Sequence, residues 1–133
     1  MSNGVVKLID PKDLSPIEGY SKKRAKWLKD KILEEKVWTQ PLKIDANNML
    51  VLDGHHRCQV ALALGLEKVP CQLFSYEEVD LWSLRPTHEV NRELVIKRAL
   101  AGEIYPYKTV KHRFPDVVSE CSYELSELGW SEK

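Results

Sequence analysis

Apolar positions come in short runs divided by polar turns, and the spacing within each run predicts its conformation. Residues 5–9 form an apolar stretch ended by Asp10-Pro11 and predict a first or edge strand. Residues 14–20, punctuated by Pro16 and Gly19, predict a loop. Ser21 suits the N-cap of a helix running to about Lys36, with Ala25, Leu28 and Ile32 on one face. Leu42 and Ile44 alternate with Lys43, Met49 to Leu52 are continuously apolar, and Asp45-Ala46-Asn47-Asn48 is turn chemistry. Residues 42–44 and 49–52 therefore predict a hairpin.

A sharp turn at Asp53-Gly54 leads into a helix that opens on His55-His56-Arg57, closes at Gly65 and turns Cys58, Ala61 and Leu62 to the core. Residues 69–74 predict another strand, with Pro70 near its start, where a missing N–H does least harm. Residues 77–82 fit a short helix or a loop. Asn91 suits the cap of a helix over 92–101, followed by Gly102. Residues 105–113 form a basic loop, and 114–133 carry a weak helical signal around 117–128 that is expected to fray. The fold class is thus α/β (α+β): one compact domain with a small mixed sheet flanked by helices, a core over about 5–115 and a tail over 116–133.

Composition narrows the function classes. A chain of 133 residues, 43% hydrophobic, fits one domain with a small core. Its 20 basic and 20 acidic side chains cancel, so no global field favours nucleic acid or a membrane. No apolar run approaches membrane-spanning length, and residues 1–10 lack the charged start and apolar middle of a signal peptide. The three cysteines lack metal-ligand spacing, which argues against a disulfide framework and for the cytoplasm.

The densest chemistry lies in residues 51–65, VLDGHHRCQVALALG. A helix N-terminus exposes unpaired N–H groups and carries partial positive charge. Gly54 admits close backbone approach, Arg57 adds a planar fork of donors, and His55 and His56 add imidazoles. An ordinary solvated helical turn has some of these features. The strand before it, the helix after it and the crowding of polar groups favour a phosphate cradle.

Residues 38–41 (WTQP), the apolar hairpin, the Asp53-Gly54-His55-His56-Arg57 turn, Gly65 and Val69-Pro70 together resemble the ParB/sulfiredoxin superfamily. Glu18 in the first loop, Gly102 after its helix, and Pro106, Lys108, Thr109 and His112 extend the resemblance toward its free-serine kinase branch. The resemblance implies a kinase that moves a phosphoryl group from ATP or ADP to the side-chain hydroxyl of free L-serine or a similar small hydroxy amino acid, with Mg2+. It implies Glu18 as general base, and Asp53 at the transfer centre as a candidate magnesium ligand. It places Gly54, His55, His56, Arg57, Lys108, Thr109 and His112 on the nucleotide phosphates. Lys43, Trp82 and Arg85 are the candidates for holding the amino acid. Taken without the family, Glu18 reads as a solvated loop carboxylate, and Thr109 and His112 read equally as a polar tail loop.

Sulfiredoxins carry their reactive cysteine where this chain has His55, and Cys58 is displaced toward the core, which argues against sulfinic-acid reduction. Partition proteins of the superfamily continue into a helix-turn-helix and a dimerisation segment that these residues lack, and the balanced charge makes DNA an unexpected partner. The expected partners are a nucleotide and a small hydroxy amino acid. A ParB-like nucleotide-binding regulatory module without catalysis is the alternative reading.

Overall fold

Alternation along one strand divides the interior in two. In the computed structural model, which describes residues 6–115 and 120–131, Val51 packs into one apolar cluster while Leu50 and Leu52 pack into another. Successive residues of a strand point to opposite faces, so a strand apolar throughout must be covered on both.

The chain runs through β1 (Val6–Ile9), β2 (Ser15–Pro16), α1 (Lys22–Glu35), β3 (Val37–Trp38), β4 (Leu42–Asp45), β5 (Leu50–Asp53), α2 (His55–Ala63) and β6 (Val69–Phe74). It continues through β7 (Asp80–Ser83), α3 (Arg92–Leu100), β8 (Val110–Arg113) and β9 (Tyr123–Glu124). Short 3-10 turns occupy Pro11–Asp13, Tyr76–Glu78 and Leu125–Leu128. Five strands form a mixed sheet in the order β1-β6-β4-β5-β2, with antiparallel and parallel pairings alternating across it. The expected α/β fold with a small mixed sheet is what forms. Residues of α1 and α2, together with Leu125 and Leu128, cover one face of the sheet. Residues of α3 and Val110 of β8 cover the other. Among the described residues no helix is long and apolar enough to cross a membrane.

Most of the expected elements form. The 42–52 hairpin is present, and a register shift between Lys43 and Ile44 sets Lys43 opposite Asp53. Pro70 pairs only with Leu8, because the pairing with β4 begins at Cys71. The missing N–H thus falls where no β4 partner awaits it. Two helices start on side-chain caps: Ser21 Oγ accepts from the Arg24 N–H at 3.2 Å, and Asn91 Oδ1 accepts from the Leu94 N–H at 2.8 Å.

Other expectations are corrected. Residues 110–113, expected as loop, form β8 and pair with β7, which also decides the ambiguous 77–82 region. Val110 and His112 point inward and Lys111 and Arg113 outward, so period 2 is present under a basic surface. Leu62 is 42% exposed, and Val60 takes the inward place, packed in the α1 cluster. The tail does not fray where it is described: β9 pairs with β3, and the Leu128 carbonyl accepts from the Glu67 and Lys68 N–H groups at 2.9 and 3.3 Å. Residues 117–119 of the expected tail helix, and residue 5 of the expected first strand, lie outside the described residues. The loop over 14–20 contains the two-residue β2, parallel to β5.

Candidate nucleotide and phosphoryl-transfer site

Unlike the other two helices, α2 starts without a side-chain cap. Its N-cap is Gly54, in a left-handed conformation with φ 103°. The first helical bond runs from the Cys58 N–H to the Gly54 carbonyl at 2.9 Å, so the N–H groups of His55, His56 and Arg57 precede it. A Cβ on residue 54 would stand 2.7 Å from Leu42 Cδ2. Glycine therefore answers both a φ that side chains resist and a close approach.

This helix start opens on a cavity of about 580 Å³. Glu18, Lys43, Asp53, Gly54, His55, His56, Arg57 and Lys108 all line it, so eight of the sequence-derived candidates share one wall. Arg24 and Lys111 add two further cations, giving five basic side chains against the carboxylates of Glu18 and Asp53. A chain of zero net charge thus presents a locally basic cavity, suited to a polyanion.

Glu18 is held by the far end of the chain. Its Oε1 accepts from the Val110 N–H at 2.9 Å and the Thr109 N–H at 3.3 Å. Burial pushes its carboxyl above the usual range, the backbone donors oppose that, and nearby Asp53 adds to it. Asp53 does not cap α2; its Oδ2 meets Lys43 Nζ at 3.4 Å. The register shift in the hairpin produces this pairing, a common use of bulges beside sites.

The histidines face the first loop. His55 Nε2 accepts from the Ile17 N–H at 3.2 Å, and His56 Nε2 accepts from the Ser21 N–H at 3.0 Å. Burial pushes His55 down to about 4 and also lowers His56, so both rings are neutral near pH 7.

Four candidates are placed otherwise than expected. Thr109 is fully buried and its hydroxyl donates to the Pro106 carbonyl at 2.6 Å; only its N–H serves the site, through Glu18. His112 faces the interior of β8, with Nε2 2.8 Å from the Tyr76 hydroxyl and a hydrogen bond to the Leu52 backbone. Burial holds it down at about 4. Trp82 is 44% exposed on β7 and does not line the cavity. Nor does Arg85, which instead donates to the Tyr107 carbonyl at 2.6 Å and so braces the segment carrying Lys108.

Sequence reasoning missed Arg24, Trp27, Gln40, Tyr107 and Lys111, all on the cavity wall. Arg24 sits in α1 among Lys22, Lys23, Lys26 and Lys29, a run that by itself reads as a solvated helical face. Its Nη1 donates to the Tyr107 hydroxyl at 3.2 Å, which ties that face to the site.

Cysteine chemistry does not fit the site. Burial pushes the Cys58 thiol up to about 11 and Cys71 to about 12, far from a reactive thiolate. Among the described residues no group of three or more His, Cys, Asp or Glu side chains is placed to hold a metal. Mg2+ needs no such cage: it takes one or two carboxylates together with phosphate oxygens. Asp53, on the wall of the cavity, fits that donor set.

No family model matches the chain. A ParB-like protein of Sulfolobus acidocaldarius is 30% identical over 141 aligned positions, covering all of this chain and 67% of the relative. An ATP-dependent L-serine kinase of Desulfurococcus mucosus is 28% identical over 112 positions, covering 80% of this chain but only 39% of the kinase. Two solved structures of free serine kinase mutants, one in complex with AMP and one with ADP, superpose with a TM-score of 0.83. Each covers 92% of this chain and 93% of its own at 13% identity, a likeness of fold. On the match to the Sulfolobus protein, which takes in all of this chain and 67% of that relative, the chain belongs to the ParB-like protein family.

Proposed function

We propose that the protein transfers a phosphoryl group from an adenine nucleotide to the side-chain hydroxyl of free L-serine or a similar small hydroxy amino acid. One observation carries the reading: a half-buried carboxylate of raised pKa and an uncapped helix N-terminus face the same basic cavity. Phosphoryl transfer asks mainly for positioning and charge neutralisation, and those are the features assembled here. The names of the relatives, an ATP-dependent L-serine kinase and free serine kinases holding AMP and ADP, agree with it.

In this mechanism the amides at the start of α2, Arg57 and Lys108 hold the nucleotide phosphates. Glu18 accepts the proton of the amino-acid hydroxyl as its oxygen bonds to the terminal phosphorus. The bond to the leaving nucleotide phosphate breaks in the same displacement. Asp53 would hold Mg2+ beside the phosphates, where the ion neutralises negative charge. Lys43 stands beside Asp53 at the transfer centre and is the remaining candidate for the carboxylate of the amino acid.

A second reading, a nucleotide-binding regulatory module without catalysis, draws on the cavity wall, where Lys43 alone of the three amino-acid candidates is found. Incubation with ATP or ADP, Mg2+ and serine, threonine or homoserine separates the two. Phosphorylated amino acid supports the kinase; nucleotide binding with no turnover on any acceptor supports the module.

A further inference from the structure

The histidine pair of α2 is turned toward a backbone segment. Ile17 and Ser21 bracket Glu18, and each gives its N–H to the Nε2 of a different histidine, at 3.2 and 3.0 Å. A ring nitrogen that accepts from an amide carries no proton, so each neutral imidazole bears its hydrogen on Nδ1. Ile17 is 1% exposed, so its N–H has no water to turn to, and His55 supplies the acceptor. On its other side the loop is fixed to the 105–110 segment: the Tyr105 N–H donates to the Ile17 carbonyl at 2.9 Å, and the Gly19 N–H donates to the Tyr105 carbonyl at 2.8 Å. Glu18 therefore stands on a backbone gripped from two sides, with its carboxylate bound by a third set of donors.

We infer that His55 and His56 are positioning residues for Glu18, fixing the base loop to the phosphate-binding helix through Nε2 atoms that are thereby closed to the nucleotide phosphates. This rests on the kinase reading for its catalytic consequence but not for its geometry. Removing one acceptor frees the loop on the α2 side while leaving the amides of α2, Arg57 and Lys108 in place. Displacement of a reacting group by about 1 Å costs on the order of 100-fold in rate.

His56 is the better probe, because it is only partly buried, whereas His55 lies deeper and its loss endangers folding. His56→Leu deletes the acceptor, and His56→Gln returns an oxygen close to the position of Nε2. Calorimetry with ADP gives nucleotide affinity and, through its stoichiometry, the folded fraction. The expected result is a kcat reduced roughly 10- to 100-fold in His56→Leu, unchanged ADP affinity at full stoichiometry, and recovery of most of kcat in His56→Gln. ADP affinity lost in His56→Leu while kcat is retained would overturn the inference, since that is the signature of a phosphate ligand. Long-range 1H–15N spectra of the wild-type protein test the geometry without activity. Protons on Nδ1 of both rings, with slow exchange of the Ile17 and Ser21 amides, support the clamp; protons on Nε2 overturn it. If the wild-type protein has no kinase activity, the kinase reading fails by itself, and the tautomers and amide exchange still decide the clamp.

Discussion

The Val110 N–H donates to Glu18 Oε1 at 2.9 Å across 92 residues of sequence, so the first residue of β8 fixes the carboxylate of the first loop. Both the chemistry and the stability at Glu18 follow from that enclosure. Glu18→Gln keeps an oxygen for the Val110 and Thr109 amides but cannot take up a proton. It should leave nucleotide affinity unchanged and lower turnover by roughly 10²–10⁴-fold. Near-normal turnover in this variant would remove Glu18 as the base.

The raised pKa of Glu18 has a thermodynamic sign. Above the ordinary value of 4.5 the folded state binds this proton more tightly than the unfolded chain does, so stability falls as pH rises through the raised value. Glu18→Gln lacks that penalty and should melt above the wild type at neutral pH, with the advantage gone below pH 4.5. Thermal melts of both proteins across this window check it. A variant that melts lower at neutral pH would contradict a carboxylate disfavoured by burial.

Arg57 offers a contrasting perturbation. It lines the cavity from the first turn of α2, where a guanidinium adds charge to the open amides. Charge-assisted hydrogen bonds contribute about 1.5–3 kcal/mol. Arg57→Ala should therefore weaken ATP or ADP binding roughly 10- to 150-fold, at about 1.4 kcal/mol per decade. Equilibrium binding that stays within twofold would place the phosphates elsewhere.

Two glycines of positive φ separate backbone strain from crowding. Gly65, at φ 67°, has nothing within 4 Å of an added Cβ, so Gly65→Ala should cost only the left-handed penalty of roughly 1–2 kcal/mol. Gly54, at φ 103°, would also press a Cβ to 2.7 Å from Leu42 Cδ2. Gly54→Ala should be the more destabilising in urea titration and should weaken nucleotide binding as well, whereas Gly65→Ala should not. Equal losses at the two positions would mean that Leu42 yields without cost.

Where local chemistry decides the structure, the sequence was legible. Ser21 and Asn91 cap their helices because their side-chain oxygens meet the free amides, and Asp45 turns the hairpin by accepting from the Asn47 and Asn48 N–H groups. The DGHHR turn lines one cavity with Glu18, Lys43 and Lys108. Legibility failed where a partner far along the chain decides. Inward-facing His112 makes β8 look polar, yet Tyr76 and the Leu52 backbone satisfy it from other elements. Thr109 was expected on the nucleotide phosphates, but its hydroxyl is taken by the Pro106 carbonyl and its N–H by Glu18. The Nε2 atoms of His55 and His56 look free in sequence because the amides of Ile17 and Ser21 that occupy them arrive from more than thirty residues away.

The tail gives the last test, because its 3-10 turn is too short to carry a periodic signal but is packed like core. Leu125 and Leu128 are each 1% exposed in the cluster that joins α1, α2 and the sheet. The Leu128 carbonyl also receives the N–H groups of Glu67 and Lys68, just before β6. Leu→Ala at a site of this kind leaves a cavity and costs about 2–5 kcal/mol. Leu128→Ala should lower the urea midpoint accordingly. Trp82→Ala, at a half-exposed position outside the cavity, should lose far less stability and keep nucleotide binding. A Leu128→Ala variant within about 0.5 kcal/mol of the wild type, the range of ordinary surface changes, would return the tail to a frayed extension.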